Sequence, residues 1–211
     1  MQIIHKHILH LIKEKTKVID IGCADGHLAK LLQKEKLCKL QAIEINPELV
    51  RQSIRNGIAT ILGEAPEELH PCADNVFDYA ILSDSLQVMA NPREVLEQAL
   101  RIANNTILIV PNFGNIKNRI YLGLRGKMPV TKELSYQWYE TPNIHFSTLL
   151  DIKNLCEEMK AKITEKLLLN YAEKRLMLDS TTISEIKEMK KNRIFNRCYE
   201  GKGKTKTVCH W

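Results

Sequence analysis

The sequence predicts an α/β domain: a doubly wound, mostly parallel sheet between helices, in three layers. Three observations predict it. Five short apolar runs, partly β-branched, recur along the first half of the chain. Helix-start signals stand between them, and a glycine loop follows the first run directly in "VIDIGCADGHLAKLL". Runs this apolar suit strands buried on both faces, and strands alternating with helices suit a parallel sheet.

The chain opens with Ile4, Ile8, Leu11 and Ile12 at helical spacing, an amphipathic entry helix. The expected strands are "KVIDI" (17–21), "LQAIEI" (40–45), "ATILG" (59–63), "FDYAILS" (77–83) and "TILIVP" (106–111). Asn46-Pro47 reads as an N-cap followed by proline at the first helical position, and Gly57 suits that helix's end. Asn91-Pro92 repeats the device, with Glu94 three residues after the cap and Val95, Leu96, Ala99, Leu100 and Ala103 on one face. "EAPEELHPCADNV", between the third and fourth strands, is the poorest helix pattern. Thr148, with Asp151 three residues on, reads as the N-cap of a later helix that turns Leu155, Cys156 and Met159 inward. "KITEKLLLN" (162–170) and "EKRLMLD" (173–179) suit a closing antiparallel hairpin. A helix from about Thr182 to Lys191 and a basic tail follow, with no clean alternating final strand. Residues 1–180 are thus expected to form one domain, and 181–211 a basic helix and flexible tail.

At 211 residues the chain suits a single domain with a sizeable core. Apolar content of 44% and charged content of 27% are those of a soluble globular protein. His and Lys interrupt "MQIIHKHILHLIKEK", so it lacks the apolar region of a signal peptide, and no run elsewhere would span a membrane. Six cysteines without a C-x-x-C pair read as reduced thiols, and a cytoplasmic location is expected. The net charge of +6 is carried by residues 187–211, which hold eight Lys/Arg and two Asp/Glu. The body of the chain is neutral, which argues against a nucleic-acid partner. His5, His7 and His10 lie close together without the ligand placement a metal site needs.

The glycine loop carries the chemistry. A dinucleotide fingerprint beginning at Gly22 would want glycine at positions 24 and 27, where Ala24 and His27 stand. Asp25, near the start of the next helix, would repel a pyrophosphate. Further acids follow at strand positions: Asp20 in the first strand, Glu44 near the end of the second, Glu64 just after the third. An acidic rim suits a ligand with positive charge and ribose hydroxyls but no phosphate, and S-adenosylmethionine (SAM) fits that description. Glu44, 22 residues after Gly22, has two acceptor oxygens for a ribose diol. The competing reading is that Asp20 and Asp25 only cap the following helix.

These features resemble the class I SAM-dependent methyltransferase fold, with bound S-adenosylmethionine or S-adenosylhomocysteine. Carried over by position, the resemblance implies that Asp20, Gly22, Cys23, Ala24, Asp25 and Gly26 form the methionine-side loop, with Cys23 offering its backbone amide. Glu44 and Ile45 would meet the ribose side, Gly63, Glu64 and Ala65 the adenine edge, and Ser83 the end of the fourth strand. Ala24 departs from the usual glycine, and a left-handed conformation there would cost alanine roughly 1 kcal/mol. "LSDSLQVMANP" after the fourth strand lacks the Asn/Asp-Pro-Pro-aromatic tetrad of amino-group methyltransferases. Asp84 and His145 are the candidate catalytic bases, against a loop acid or cap and a backbone-bonded histidine.

"VPNFGN", "RGKMPVTKELSYQWYETPNIHFST", "LCEEM" and "LSDSLQ" closely resemble the MetW family of methionine-biosynthesis proteins, over roughly residues 15 to 170. That resemblance implies support of homoserine O-acetyltransferase as a partner, with catalysis on the partner. Asp84 and Ser85 stand where the family more often carries Gln and Thr, and the chain after about Tyr171 departs from the pattern. Six of the twelve aromatic residues fall between Phe113 and Phe146. This segment, 112–147, is expected to lie over the carboxyl ends of the fourth and fifth strands. There it would close the ligand pocket or present Arg125, Tyr136, Trp138 and Tyr139 to a partner. The competing reading is that the rings fill the gap between sheet and last helix, held by Pro129 and Pro142. The alternatives to a partner role are an active methyltransferase on an unidentified small molecule and, less favoured by the neutral body, a nucleic-acid methyltransferase.

Overall fold

The apolar runs become strands because side chains on both of their faces find helices to pack against. The computed structural model describes residues 2–131, 134–170, 175–177 and 204–210. In chain order these form α1 (Gln2–Leu11), β1 (Lys17–Ile21), α2 (His27–Lys36), β2 (Lys39–Glu44), α3 (Pro47–Arg55), β3 (Ala59–Leu62), α4 (Ala65–Leu69), β4 (Phe77–Ser83) and α5 (Pro92–Ile102). Then come β5 (Ala103–Pro111), α6 (Ile116–Arg125), α7 (Leu149–Glu158), β6 (Lys162–Asn170), β7 (Arg175–Met177) and β8 (Lys204–His210). The sheet order is β3-β2-β1-β4-β5-β8-β6-β7. Every neighbouring pair is parallel except β6 with β7.

Strand alternation splits the core into two layers. Tyr79, Ile81, Ile107 and Ile109 pack with Ile4 and Ile8 of α1, with Ile12 just after it, and with Leu28 and Leu32 of α2. The intervening Ala80, Leu82, Leu108 and Val110 pack with Leu69 of α4, Val95 and Leu96 of α5, and Ile152 and Cys156 of α7. This is the expected doubly wound sheet. β2 and β4 flank β1 on opposite sides, so the crevice at a switch point opens beyond the carboxyl end of β1.

Local signals mostly act as expected. The Asn46 side chain accepts the N–H groups of Glu48 at 2.9 Å and Leu49 at 3.3 Å, and Pro47 opens α3. Thr148 and Asp151 form a full capping box at α7. Asn91 holds the N-cap position of α5 but makes no side-chain cap bond, and Glu94 instead meets His70 Nε2 at 3.1 Å. The segment with the poorest helix pattern still forms the five-residue α4. The expected hairpin is β6 with β7. Lys204–His210, expected within the tail, form β8 between β5 and β6. Thr205, Thr207 and Val208 favour extended backbone, and the interleaved lysines hid that preference in the sequence. The helix expected near Thr182 to Lys191 lies outside the described residues.

Helix α6 was not legible in the sequence, and its packing is inverted. Its buried residue is Asn118, whose N–H donates to the Asn115 side chain at 2.9 Å and whose Nδ2 donates to Phe113 O at 3.1 Å. Ile116, Ile120 and Leu124 are 59%, 53% and 83% exposed. Gly126, at φ 60, ends the helix with its N–H on Leu122 O.

Candidate functional site

The site begins where β1 runs into a loop of alternating left-handed residues. Gly22, Ala24 and Gly26 have φ of 77, 50 and 74. A Cβ on Gly22 would lie 2.6 Å from Ser85 Cβ, so only glycine lets the loop pass under that residue. A Cβ on Gly26 would meet the Ser53 hydroxyl of α3. Ala24 therefore occupies the strained position its departure from glycine implied.

Glu44 joins the loop to the second strand. Its Oε2 accepts the Ala24 N–H and its Oε1 the Asn46 N–H, both at 2.9 Å. Its backbone carbonyl accepts the Gly63 N–H at 3.2 Å, bringing the end of β3 to the same point. Gly22 and Cys23 both donate to Ile43 O, at 2.8 and 3.2 Å. The Cys23 amide, expected to be offered to a ligand, is thus held within the protein. Burial pushes the Cys23 thiol up to about 12, so it stays protonated and unreactive.

Asp20 sits beneath this loop, 2% exposed, and its Oδ1 has no hydrogen-bond partner among the described residues. Burial first, and the neighbouring Glu44 second, push its carboxyl up to about 7. A buried carboxylate without a partner is costly, and a cationic group above it would offset that cost. Asp20 is therefore no helix cap. Asp25 does serve the helix, since its Oδ1 accepts the His27 N–H at 3.1 Å. Ile45 is an apolar side chain left 61% exposed beside Glu44. Glu64 is exposed at the N-cap of α4, Ala65 is buried behind it, and Ser83 is half-buried at the end of β4.

The aromatic segment crosses the carboxyl ends of β4 and β5. Ile144 and His145 donate their N–H groups to Gln87 O at 3.1 and 3.0 Å, in the short 3-10 turn (Leu86–Val88) after β4. Phe113, just after β5, donates its N–H to Ser147 O at 3.1 Å and packs its ring tilted against Phe146, with centroids 5.1 Å apart. Pro129 and Leu134 are buried anchors, whereas Tyr136, Trp138 and Tyr139 are all exposed. The gap-filling reading fails for those three rings. Trp138 packs edge-on against Tyr139, with ring centroids 5.5 Å apart. Arg125 lies over the Tyr121 ring of its own helix. Of the two candidate bases, Asp84 is exposed with φ 54 and donates its N–H to Ile109 O, while His145 is exposed on the cover.

Sequence reasoning missed three supports. Ser85 donates its hydroxyl to Ile21 O at 2.7 Å, tying the turn after β4 to the glycine loop. Ser53 is buried and hydrogen-bonds Thr60 at 2.7 Å beneath Gly26. A small hydroxyl on the inward face of an amphipathic helix was the available signal. His5 of α1 is buried against the His27 ring, with centroids 5.5 Å apart, which brings the entry helix to the loop's edge.

The parallel sheet, the glycine loop and the acid at the end of β2 define a class I SAM-dependent methyltransferase-like fold. Two solved structures share the fold. A SAM-dependent methyltransferase from Archaeoglobus fulgidus aligns with a TM-score of 0.55 at 16% identity, covering 96% of this chain and 90% of that one. One from Thermotoga maritima aligns at 0.54 and 18%, covering 75% and 69%. At these identities the likeness is one of fold. The chain belongs to the MetW family, described as methionine biosynthesis protein MetW, whose model matches residues 3–192. The match runs beyond both ends of the expected 15–170, so the departure expected after Tyr171 does not break it. The bifunctional methionine biosynthesis protein MetXA/MetW of Rhodopirellula baltica is 28% identical over 168 residues. That alignment covers 75% of this chain and 27% of the relative, so the chain matches about a quarter of that protein's length.

Proposed function

We propose that this chain is a partner protein of homoserine O-acetyltransferase that carries a SAM-type binding pocket, with the acetyl-transfer chemistry performed by the partner. The observation that carries the reading is the inverted helix α6 beside an outward-facing aromatic cover. Ile116, Ile120 and Leu124, with Trp138 and Tyr139, leave large apolar side chains in water. Large apolar side chains left exposed in this number suit an interaction site, and Trp, Tyr and Arg dominate interface energetics. Burying each such side chain contributes about 1.5–3 kcal/mol. The Rhodopirellula relative supports the choice of partner, because MetXA and MetW stand on one polypeptide there.

The pocket's donor set fits S-adenosylmethionine or its demethylated product. Asp20 supplies an unpartnered buried carboxyl for a positive centre, Glu44 retains lone pairs toward a ribose, and Ile45 offers an apolar face. SAM supplies a transferable methyl group and a sulfonium charge when bound. This chain's residues would bind and orient it, and occupancy would stiffen the Ser85–Gln87 turn on which the cover rests.

One observation favours a second reading, an active small-molecule methyltransferase. Asp84 holds a carboxylate at the carboxyl end of β4, where an acceptor's proton could be taken. SAM turnover by the isolated chain separates the two.

The test of the docking surface is co-elution with purified homoserine O-acetyltransferase. The Trp138→Ala, Tyr139→Ala double variant and the Ile120→Asp, Leu124→Asp double variant should each lose the complex while keeping the wild-type melting temperature. Retained binding in both would refute the surface, and unfolding of both would show that these side chains serve the fold.

A further inference from the structure

The three histidines of α1 fare differently. His10 is exposed and His7 half-buried, whereas His5 is 7% exposed. Its Nδ1 is buried without a hydrogen-bond partner among the described residues. A buried polar atom left without a partner is costly, and its presence calls for an occupant of the site it faces. The histidine cannot simply swing away, because Ile4 and Ile8 fasten α1 to Tyr79, Ile81, Ile107 and Ile109 of the sheet.

The surroundings of His5 come from other elements. Its ring lies 5.5 Å from that of His27, centroid to centroid, and His27 follows Gly26 of the glycine loop and begins α2. Burial first, and His27 second, hold the His5 imidazole below the usual histidine range, while Asp25 of the loop and Asp84 after β4 act in the opposite sense. His5 therefore borders the crevice beyond β1 from the α1 side, between the glycine loop and the turn after β4.

SAM and its demethylated product both end in an α-amino acid group, an ammonium beside a carboxylate. Asp20, Glu44 and Ile45 suit the sulfonium, the ribose and an apolar face, and none of these side chains donates to a carboxylate. Lys30, one turn along α2, is directed to Asn56 Oδ1 at 3.1 Å. We infer that His5 recognises the amino-acid tail of the bound nucleoside, its imidazole donating to the tail's carboxylate while Asp25 and Asp84 face the ammonium. The inference rests on the SAM-type pocket. A carboxylate partner satisfies the buried nitrogen and favours the imidazolium in one contact. A tail with an amine alone would leave that nitrogen unpaired, and a carboxylate alone would meet Asp25 and Asp84 without relief.

The experiment is a calorimetric titration of the full chain with S-adenosylhomocysteine and with 5′-methylthioadenosine, the related nucleoside thioether that lacks the amino-acid group. Wild type should bind S-adenosylhomocysteine at least about tenfold more tightly, the gain expected for a charge-assisted hydrogen bond. His5→Phe, which keeps a planar buried ring, should weaken S-adenosylhomocysteine about tenfold and leave methylthioadenosine unchanged. His5→Gln, with a side-chain N–H donor, should recover part of the loss. In the wild-type chain, the side-chain nitrogen NMR resonances of His5 should shift with S-adenosylhomocysteine and stay in place with methylthioadenosine, a readout that depends on no variant folding. Equal affinity for the two nucleosides, an equal loss of both in His5→Phe, or His5 resonances unmoved by bound S-adenosylhomocysteine would overturn the assignment and leave the pocket standing. Failure of wild type to bind either nucleoside would overturn the pocket and this assignment with it.

Discussion

Replacing Asp20 by asparagine tests the electrostatics beneath the glycine loop. Asp20 is buried in β1 with an unpartnered oxygen and titrates near 7, against 3.8 in an unfolded chain. The folded state therefore holds this proton more tightly than the unfolded state. The stability this gives is fully present below pH 3.8 and falls as pH rises through the window from 3.8 to about 7. Across the whole window the loss is roughly 4 kcal/mol. Asparagine has nearly the same shape and no charge, so the variant lacks this component. Urea denaturation of both proteins at pH 5 and pH 8, without ligand, isolates it, because every other titrating group is common to the two. Asp20→Asn should gain stability relative to wild type by about 1–3 kcal/mol between those two pH values, since part of the window already lies below pH 5. A difference between the two proteins that stays constant with pH would refute the reasoning. It would mean that Asp20 is ionised and compensated in the fold, leaving no need for a cationic ligand.

Other outcomes follow from the same geometry. Glu44→Gln replaces one of two acceptors by a donor facing a backbone N–H and should cost about 1–3 kcal/mol in denaturation, together with SAM affinity by calorimetry. Ala24→Gly exchanges left-handed strain for unfolded-chain freedom and should stay within about 1 kcal/mol of wild type. Ala24→Val, β-branched at φ 50, should lose roughly 2 kcal/mol in the same denaturation assay. Cys23, Cys38 and Cys156 are buried and Cys72 is half-buried. Mass-spectrometric mapping after iodoacetamide treatment at pH 8 should find Cys72 alkylated before the other three.

Much of the sheet was legible because its strands are buried on two faces. Tyr79 and Ile81 serve one layer and Ala80 and Leu82 the other, so the whole run had to be apolar. Asp20 and Glu44 were legible as acids of the candidate site for a related reason: carboxylates at strand ends stand out against such runs. Helix α6 was not, because its apolar residues point away from this chain's core while Asn118 points in, the reverse of the pattern that marks a helix in a sequence. β8 was obscured by alternating lysines. Asn91 and Asn46 look alike in sequence, yet only Asn46 caps its helix, since φ and ψ at the cap are set by the incoming chain. Where the Cys23 amide donates also depended on β2, whose carbonyl at Ile43 lies 20 residues further along the chain.

The partner role is tested most directly by the rate of homoserine O-acetyltransferase itself. Release of free CoA thiol would be followed with purified acetyltransferase alone, with a stoichiometric amount of this protein, and with its Ile120→Asp, Leu124→Asp variant. A large rise in rate with the wild-type chain and none with the variant is the predicted result. An acetyltransferase that is fully active alone and indifferent to both would contradict the account.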